Sequence, residues 1–461
     1  MQSRRSVWLW VGVALGALIV LVIAGAVVTY AVLASSWERQ AQAALARVKA
    51  SGAPATWQQA IPPRVPDLQN AAIPYGWAFE ALKMEPKPPP RPRPKYPPYP
   101  PPGPTQGPGP RDMVRKYLGA KTPQERAALA GAARKVLADN AEALAYAWQA
   151  AARPRLRFNR NYDVTPMAVE YPEFAKLKDL ARLACAQALM RADAGDLGGA
   201  LRAWSLNVEI AKQLASETSL FGQLTRYAIL ALGEDALQKI VKAGRPNPAQ
   251  CDQLAHGLAA LDLNGPFIKS LEFERAAMLE TLEETYRHHS VVSSDVPVRP
   301  LGAFAGLDRA AMLRLWEKEI ALARKPYRET VGQFDNLDRD VPRYALVTYV
   351  MSPLYGRAVA ARDRAGALVG VMRAGLELEA YRGRFGRYPG SLSELAAALK
   401  SRPAEDPFSG KPLVYRRIGK GYLLYSIGPD LKDDGGKPVD YGTAKPPARQ
   451  REGDIVWRVA R

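Results

Sequence analysis

The stretch Gly421-Tyr-Leu-Leu-Tyr-Ser-Ile-Gly428-Pro-Asp430-Leu-Lys-Asp-Asp-Gly-Gly436 decides how this chain is read. Aromatic and aliphatic residues fill 422–425 of an expected strand at 422–426, and Gly428-Pro ends it. A partner strand is expected at 413–416, and the chain returns through Gly453-Asp454-Ile-Val-Trp457. Between them a glycine-rich loop, 430–440, carries Asp430, Asp433, Asp434 and Asp440. Closely spaced carboxylates and loop carbonyls can supply the roughly six to eight oxygens that calcium takes. The candidate ligands, in order, are Asp430, Asp440, Asp434 and Asp454; Lys432 and Lys437 within the loop oppose a cation. The same residues also read as an acidic turn that holds no ion.

Upstream, residues 354–381 have the spacing of one long helix with Ala, Val and Leu on its inner face, stopped by Gly383 and Gly386. Ser391-Leu-Ser-Glu394 opens a short helix to Leu399 by a capping arrangement. The pieces Tyr388-Pro389, Asp406-Pro-Phe-Ser-Gly410, Ser426-Ile-Gly428-Pro-Asp430 and Asp454-Ile-Val-Trp457 then follow in order. In these pieces the module resembles the C-terminal domain of the major pseudopilin of type II secretion systems, with Phe408 where that family has Trp. The resemblance implies a helix packed on a small antiparallel sheet, a calcium-holding loop and a place in a secretion or pilus-like envelope assembly. It covers under a quarter of the chain. The other end departs from the family: Met1-Gln-Ser-Arg-Arg-Ser-Val lacks its prepilin-peptidase site, so processing and polymerisation are not implied. The whole layout also resembles membrane-anchored envelope proteins of planctomycete-type bacteria, a likeness that implies no activity.

Residues 7–34 are an uncharged apolar run, longer than the ~20 residues that cross a bilayer core. Trp8 and Trp10 at one end, and Tyr30 and Trp37 at the other, suit an interfacial aromatic belt. The expected topology is a short inner N terminus with the bulk outside the cytoplasmic membrane. A cleaved signal peptide is the alternative, although the run exceeds the roughly 7–15 residues of a signal core. Gly12 and Gly16 have a small-xxx-small spacing that suits helix pairing. Residues 36–48 continue as a helical stalk, and Pro62-Pro-Arg-Val-Pro66-Asp-Leu-Gln-Asn70-Ala-Ala72 breaks it. A helix is expected at 75–84. From 86 to 110 proline dominates, which excludes helix and sheet and reads as a disordered linker. The alternatives are a ligand for a proline-recognition domain or a basic polyproline spacer.

The middle, 111–350, carries helix patterns. Thr122-Pro-Gln-Glu125 is a start signal, and Asn140 is the expected cap of the next helix, to 152. Arg153, Arg155, Arg157 and Arg160 cluster around Phe158: a candidate surface for an anionic partner, or arginines paired within a folded loop. A helical hairpin at 173–193 and 197–215 turns at Ala194-Gly-Asp196 and buries Leu177, Leu180 and Leu183 against Leu201, Trp204 and Val208. It loosely resembles a tetratricopeptide hairpin. Further helices are expected at 218–242, 248–261, 266–289 and 308–337. The expected class is mainly α: a transmembrane anchor (1–35), stalk and lead-in (36–85), proline-rich linker (86–110), irregular helical array (111–350) and a small α+β module (354–461).

Of 461 residues, 64 are Lys or Arg and 45 Asp or Glu, a net charge of +19 that favours anionic partners such as lipid headgroups, cell-wall glycan or nucleic acid. Cys185 and Cys251 lie in apolar helical patterns and read as buried thiols. Three histidines, His256, His288 and His289, leave little for metal or Ser-His chemistry. No phosphate loop, dinucleotide fingerprint, nucleophile elbow or zinc-protease motif occurs. Glu283 and Glu284 are adjacent on a helix and point apart. The functional expectation is a non-enzymatic, membrane-anchored scaffold with protein partners in the envelope; the alternative is a binder of anionic polymer.

Overall fold

The structure is a computed structural model that describes residues 2–85, 108–288, 290–291, 294–297, 305–342, 345–351, 355–438 and 453–460. The proline-rich tract at 86–107 lies outside the described residues. In chain order the helices are α1 (Gln2–Ala50), α2 (Trp57–Ala60), α3 (Ala72–Ala81), α4 (Pro110–Gly119), α5 (Pro123–Asp139), α6 (Ala141–Ala151), α7 (Glu173–Asp193), α8 (Leu197–Gln213), α9 (Leu220–Ala243), α10 (Pro248–Ala259) and α11 (Asn264–His288). A two-stranded ribbon, β1 (Ser290–Val291) and β2 (Ser294–Pro297), precedes α12 (Ala305–Ala323), α13 (Tyr327–Thr330), α14 (Leu346–Met351), α15 (Gly356–Phe385) and α16 (Leu392–Leu399). The chain closes with β3 (Val414–Ile418), β4 (Gly421–Ser426) and β5 (Ile455–Val459). The protein is mainly helical, with one three-stranded antiparallel sheet in the order β3-β4-β5.

The apolar run lies inside α1 as a bare helix, with side chains from Val13 to Leu33 exposed. The same helix runs on without a break to Ala50, and its second half is no free stalk. Ala41 and Ala44 are buried against α12. Glu38 pairs with Arg309 (3.0 Å) and Arg47 with Glu317 (2.9 Å), so the two helices run parallel.

Local signals place several ends where expected. Thr122 Oγ1 accepts the Glu125 N–H (3.1 Å), and Glu125 in turn accepts the Lys121 N–H (2.7 Å). Ser391 and Glu394 repeat this arrangement at α16. Between α7 and α8, Gly195 takes φ +83° and Asp196 caps the Gly199 N–H (2.8 Å). The expected stripes of that hairpin are buried, and α9 closes over both helices, with Trp204 Nε1–H donating to Gly233 O at 2.7 Å.

Two expectations are corrected. The helix read over 308–337 ends at Ala323, because Pro326 cannot continue it; α13 and a 3-10 turn at Phe334–Asp340 follow. Asn140 does not cap α6 with its side chain. Its amide instead holds the Lys83 N–H (2.6 Å) and donates to Val136 O (2.8 Å), fastening the end of α3. The described ends of the proline-rich tract meet: the Arg111 N–H donates to Met84 O (3.2 Å), and its guanidinium pairs with Asp179 (2.6 Å) and Glu85 (3.2 Å).

The C-terminal sheet packs on α15, which also packs on α9 and α10. Trp457 is fully buried and donates to Tyr422 Oη at 3.1 Å. Its indole lies where a side chain on Gly375 would stand, at 2.7 Å from an added Cβ, so the helix meets the sheet at a glycine. One continuous set of buried side chains runs from Ala41 through the array to Val459.

Candidate functional site

Three places hold the side chains that the sequence singles out. The first is the acidic turn after β4. Asp406 is buried and accepts from the Phe408 N–H (3.0 Å), Ser426 Oγ (2.7 Å) and the Ile427 N–H (3.2 Å), which ties the Asp-Pro-Phe-Ser-Gly turn to the end of β4. Gly428 has φ +73°, and a Cβ there would stand 2.3 Å from Gly453 O, so the close return of the chain requires glycine.

Asp454, also buried, accepts the Asp434 N–H (3.3 Å) on one oxygen and the Gly436 N–H (2.6 Å) on the other. Burial pushes its carboxyl pKa up, against those two bonds. Asp433 accepts from the Gly435 N–H (2.9 Å) and Tyr425 Oη (2.9 Å), bonds that hold its pKa down. Asp430 accepts the Lys432 N–H (3.2 Å), and burial raises its pKa. Asp440 lies outside the described residues. Among the described residues no three acidic, histidine or cysteine side chains form a group that could hold a metal ion.

The second place is the arginine cluster. Arg160 is held between two buried carboxylates, Glu217 (2.8 Å) and Glu173, and lies over the rings of Tyr171 (4.5 Å) and Phe174 (5.1 Å). Burial lowers its pKa, but the Glu217 bond and the two negative charges outweigh that and hold it above its usual value. Burial likewise lifts the Glu173 pKa, with Arg160 opposing. Arg157 donates to Pro62 O (2.9 Å), and Arg153 to the carbonyls of Asp67 (3.2 Å) and Leu68. Arg155 has an exposed side chain, and its backbone bridges to Asn70. The Asn70 amide bonds both backbone groups of Arg157, at 2.9 Å each. Arg153 and Arg157 therefore fasten the lead-in segment to the array, Arg160 ties α7 to the Glu217 turn, and Arg155 is the one whose side chain faces solvent. Sequence proximity shows the cluster; Glu217, more than fifty residues away, is invisible to it.

The third place is a cleft of about 440 Å³ where α10, α13 and α15 meet the Asp406 turn. The sequence reading missed it, since its walls come from four separated segments. Leu258, Leu261 and Val369 form its apolar side; Arg328 and Arg373 edge it. Arg328 donates to Pro407 O (2.9 Å), which joins the array to the module, and Arg373 donates to Arg402 O (2.6 Å) within the module. Neither cysteine offers a nucleophile: both are buried, and burial pushes each thiol pKa up to about 12. Compared with known proteins, the chain matches no family model, no curated protein and no solved structure.

Proposed function

We propose that this protein is a membrane-anchored scaffold of the cell envelope that works by contact with protein partners, its bulk outside the cytoplasmic membrane. One observation carries the reading. The apolar half of α1 is bare, while its polar half is packed into the body, so a span and a folded domain share one uninterrupted helix. One helix of this length and composition suits an anchor or a signal sequence, and its burial against α12 favours the anchor, because cleavage after the apolar run would leave α12's partner as a free end.

The antiparallel sheet behind α15 supports a pseudopilin-like module, and the α7–α8 hairpin with α9 supports a tetratricopeptide-like array that presents helix faces to other proteins. A second reading rests on the exposed Arg155 and the +19 charge: binding of an anionic polymer. The test is cross-linking and affinity capture of the full chain from envelope membranes. A partner recovered in fixed ratio supports the scaffold; none recovered, with retention on glycan or DNA that falls steeply with salt, supports the second reading.

A further inference from the structure

We infer that one end of the folded body sits in the headgroup layer of the bilayer that α1 crosses, so that the body is held at a set height and orientation. The inference rests on the anchor reading above and goes beyond it, because a tether alone leaves a domain free to turn.

The geometry starts from the α1–α12 pairing. Glu38 is four residues past the apolar run, about 6 Å at the helical rise. It meets Arg309 at 3.0 Å, and a Cβ added to Gly306 would stand 3.4 Å from its carboxylate. The first turn of α12 thus lies beside the point where α1 leaves the bilayer. Since α12 runs parallel to α1, α12 leads away from the membrane.

Two more elements end at the same level. Arg309 also pairs with Glu283 (2.5 Å), so the last turn of α11, with its exposed Arg287, comes down beside the start of α12. Asp308 accepts from Tyr286 Oη (2.7 Å) and from the Val347 and Thr348 N–H groups (2.9 and 2.8 Å), which sets the first turn of α14 there. Tyr349 follows on α14 and is 54% exposed. A headgroup layer is roughly 5–8 Å deep on each side, which reaches this level. Tyrosine and arginine are the residues that suit it: a ring with a polar tip, and a cation for lipid phosphate.

The bilayer is the occupant that continuity with α1 selects. The experiment uses the full chain in nanodiscs of phosphatidylethanolamine and phosphatidylglycerol, with two spin-labelled lipids in separate samples: one carries its quencher near the headgroup and reads positions 287, 349 and 418, the other carries it near the acyl-chain end and reads position 20, at the middle of the apolar run. Single cysteines at Val20, Arg287, Tyr349 and Ile418 carry an environment-sensitive fluorophore; native Cys185 and Cys251 are buried and stay unlabelled. The inference expects loss of fluorescence at positions 20, 287 and 349 and none at 418, on the C-terminal sheet. Quenching at 20 without 287 and 349 overturns the seat and leaves the anchor standing. Quenching at all four overturns the fixed orientation. No quenching at 20 removes the anchor, and the seat with it.

Discussion

Arg47 and Glu317 join head-on: Nε and Nη2 each meet one carboxylate oxygen at 2.9 Å, across 270 residues of chain. Both side chains are about half exposed, so the pair marks register more than it adds stability. The stability of the α1–α12 contact lies beneath it, in Ala41 and Ala44, which are 1% and 4% exposed.

Ala41→Leu therefore outweighs Arg47→Ala. Filling a close helix contact with three further carbons costs about 1–3 kcal/mol, whereas loss of the exposed arginine leaves the thermal midpoint almost unmoved. Melting curves of the two variants in the same detergent give the comparison. A larger drop for Arg47→Ala would show that charge, and not packing, holds the helices together.

Glu319 makes stability depend on pH. It is 1% exposed, neither carboxylate oxygen has a hydrogen-bond partner among the described residues, and burial lifts its pKa from 4.5 to about 8. The folded state holds this proton more tightly than the unfolded chain does. Stability from the neutral form is complete below pH 4.5 and is lost as pH rises through about 8, at about 1.4 kcal/mol per unit within that window. Glu319→Gln should flatten the urea-unfolding midpoint between pH 6 and 8.5. An unchanged slope in the variant would move the effect to another group.

Arg160→Ala removes the only cation seen between Glu173 and Glu217 among the described residues and leaves two buried carboxylates facing each other. Such a loss costs about 3–5 kcal/mol. Arg160→Lys recovers part of it, since an ammonium cannot span both carboxylates and also stack on Tyr171. The turn at 217–219 should loosen first, read as faster amide exchange at Glu217 and Ser219. Equal stability of the alanine variant would show the triad to be dispensable.

Calcium removal gives a fourth test. Asp454 already carries an N–H donor on each oxygen, and these two bonds tie residues 434 and 436 to the start of β5. A chelator should therefore leave the melting temperature of the full chain unchanged. A rise of several degrees on adding calcium, lost in Asp440→Ala, would show that Asp440 completes a site with Asp430 and Asp434.

What the sequence determined by itself are the features whose physics is local. The length of the apolar run, the caps at Thr122 and Ser391, the buried stripes of α7 and α8, and the strands of 414–426 all follow from spacing within a few residues. Only the tertiary structure decided which partners those elements take. It turned residues 36–48 from a stalk into the partner of α12, sent the Asn140 amide to Lys83, buried Arg160 while exposing Arg155, and set four distant segments around one cleft. A periodic pattern says that a face is apolar but not what will cover it; that choice is made by close packing and charge pairing across tens to hundreds of residues.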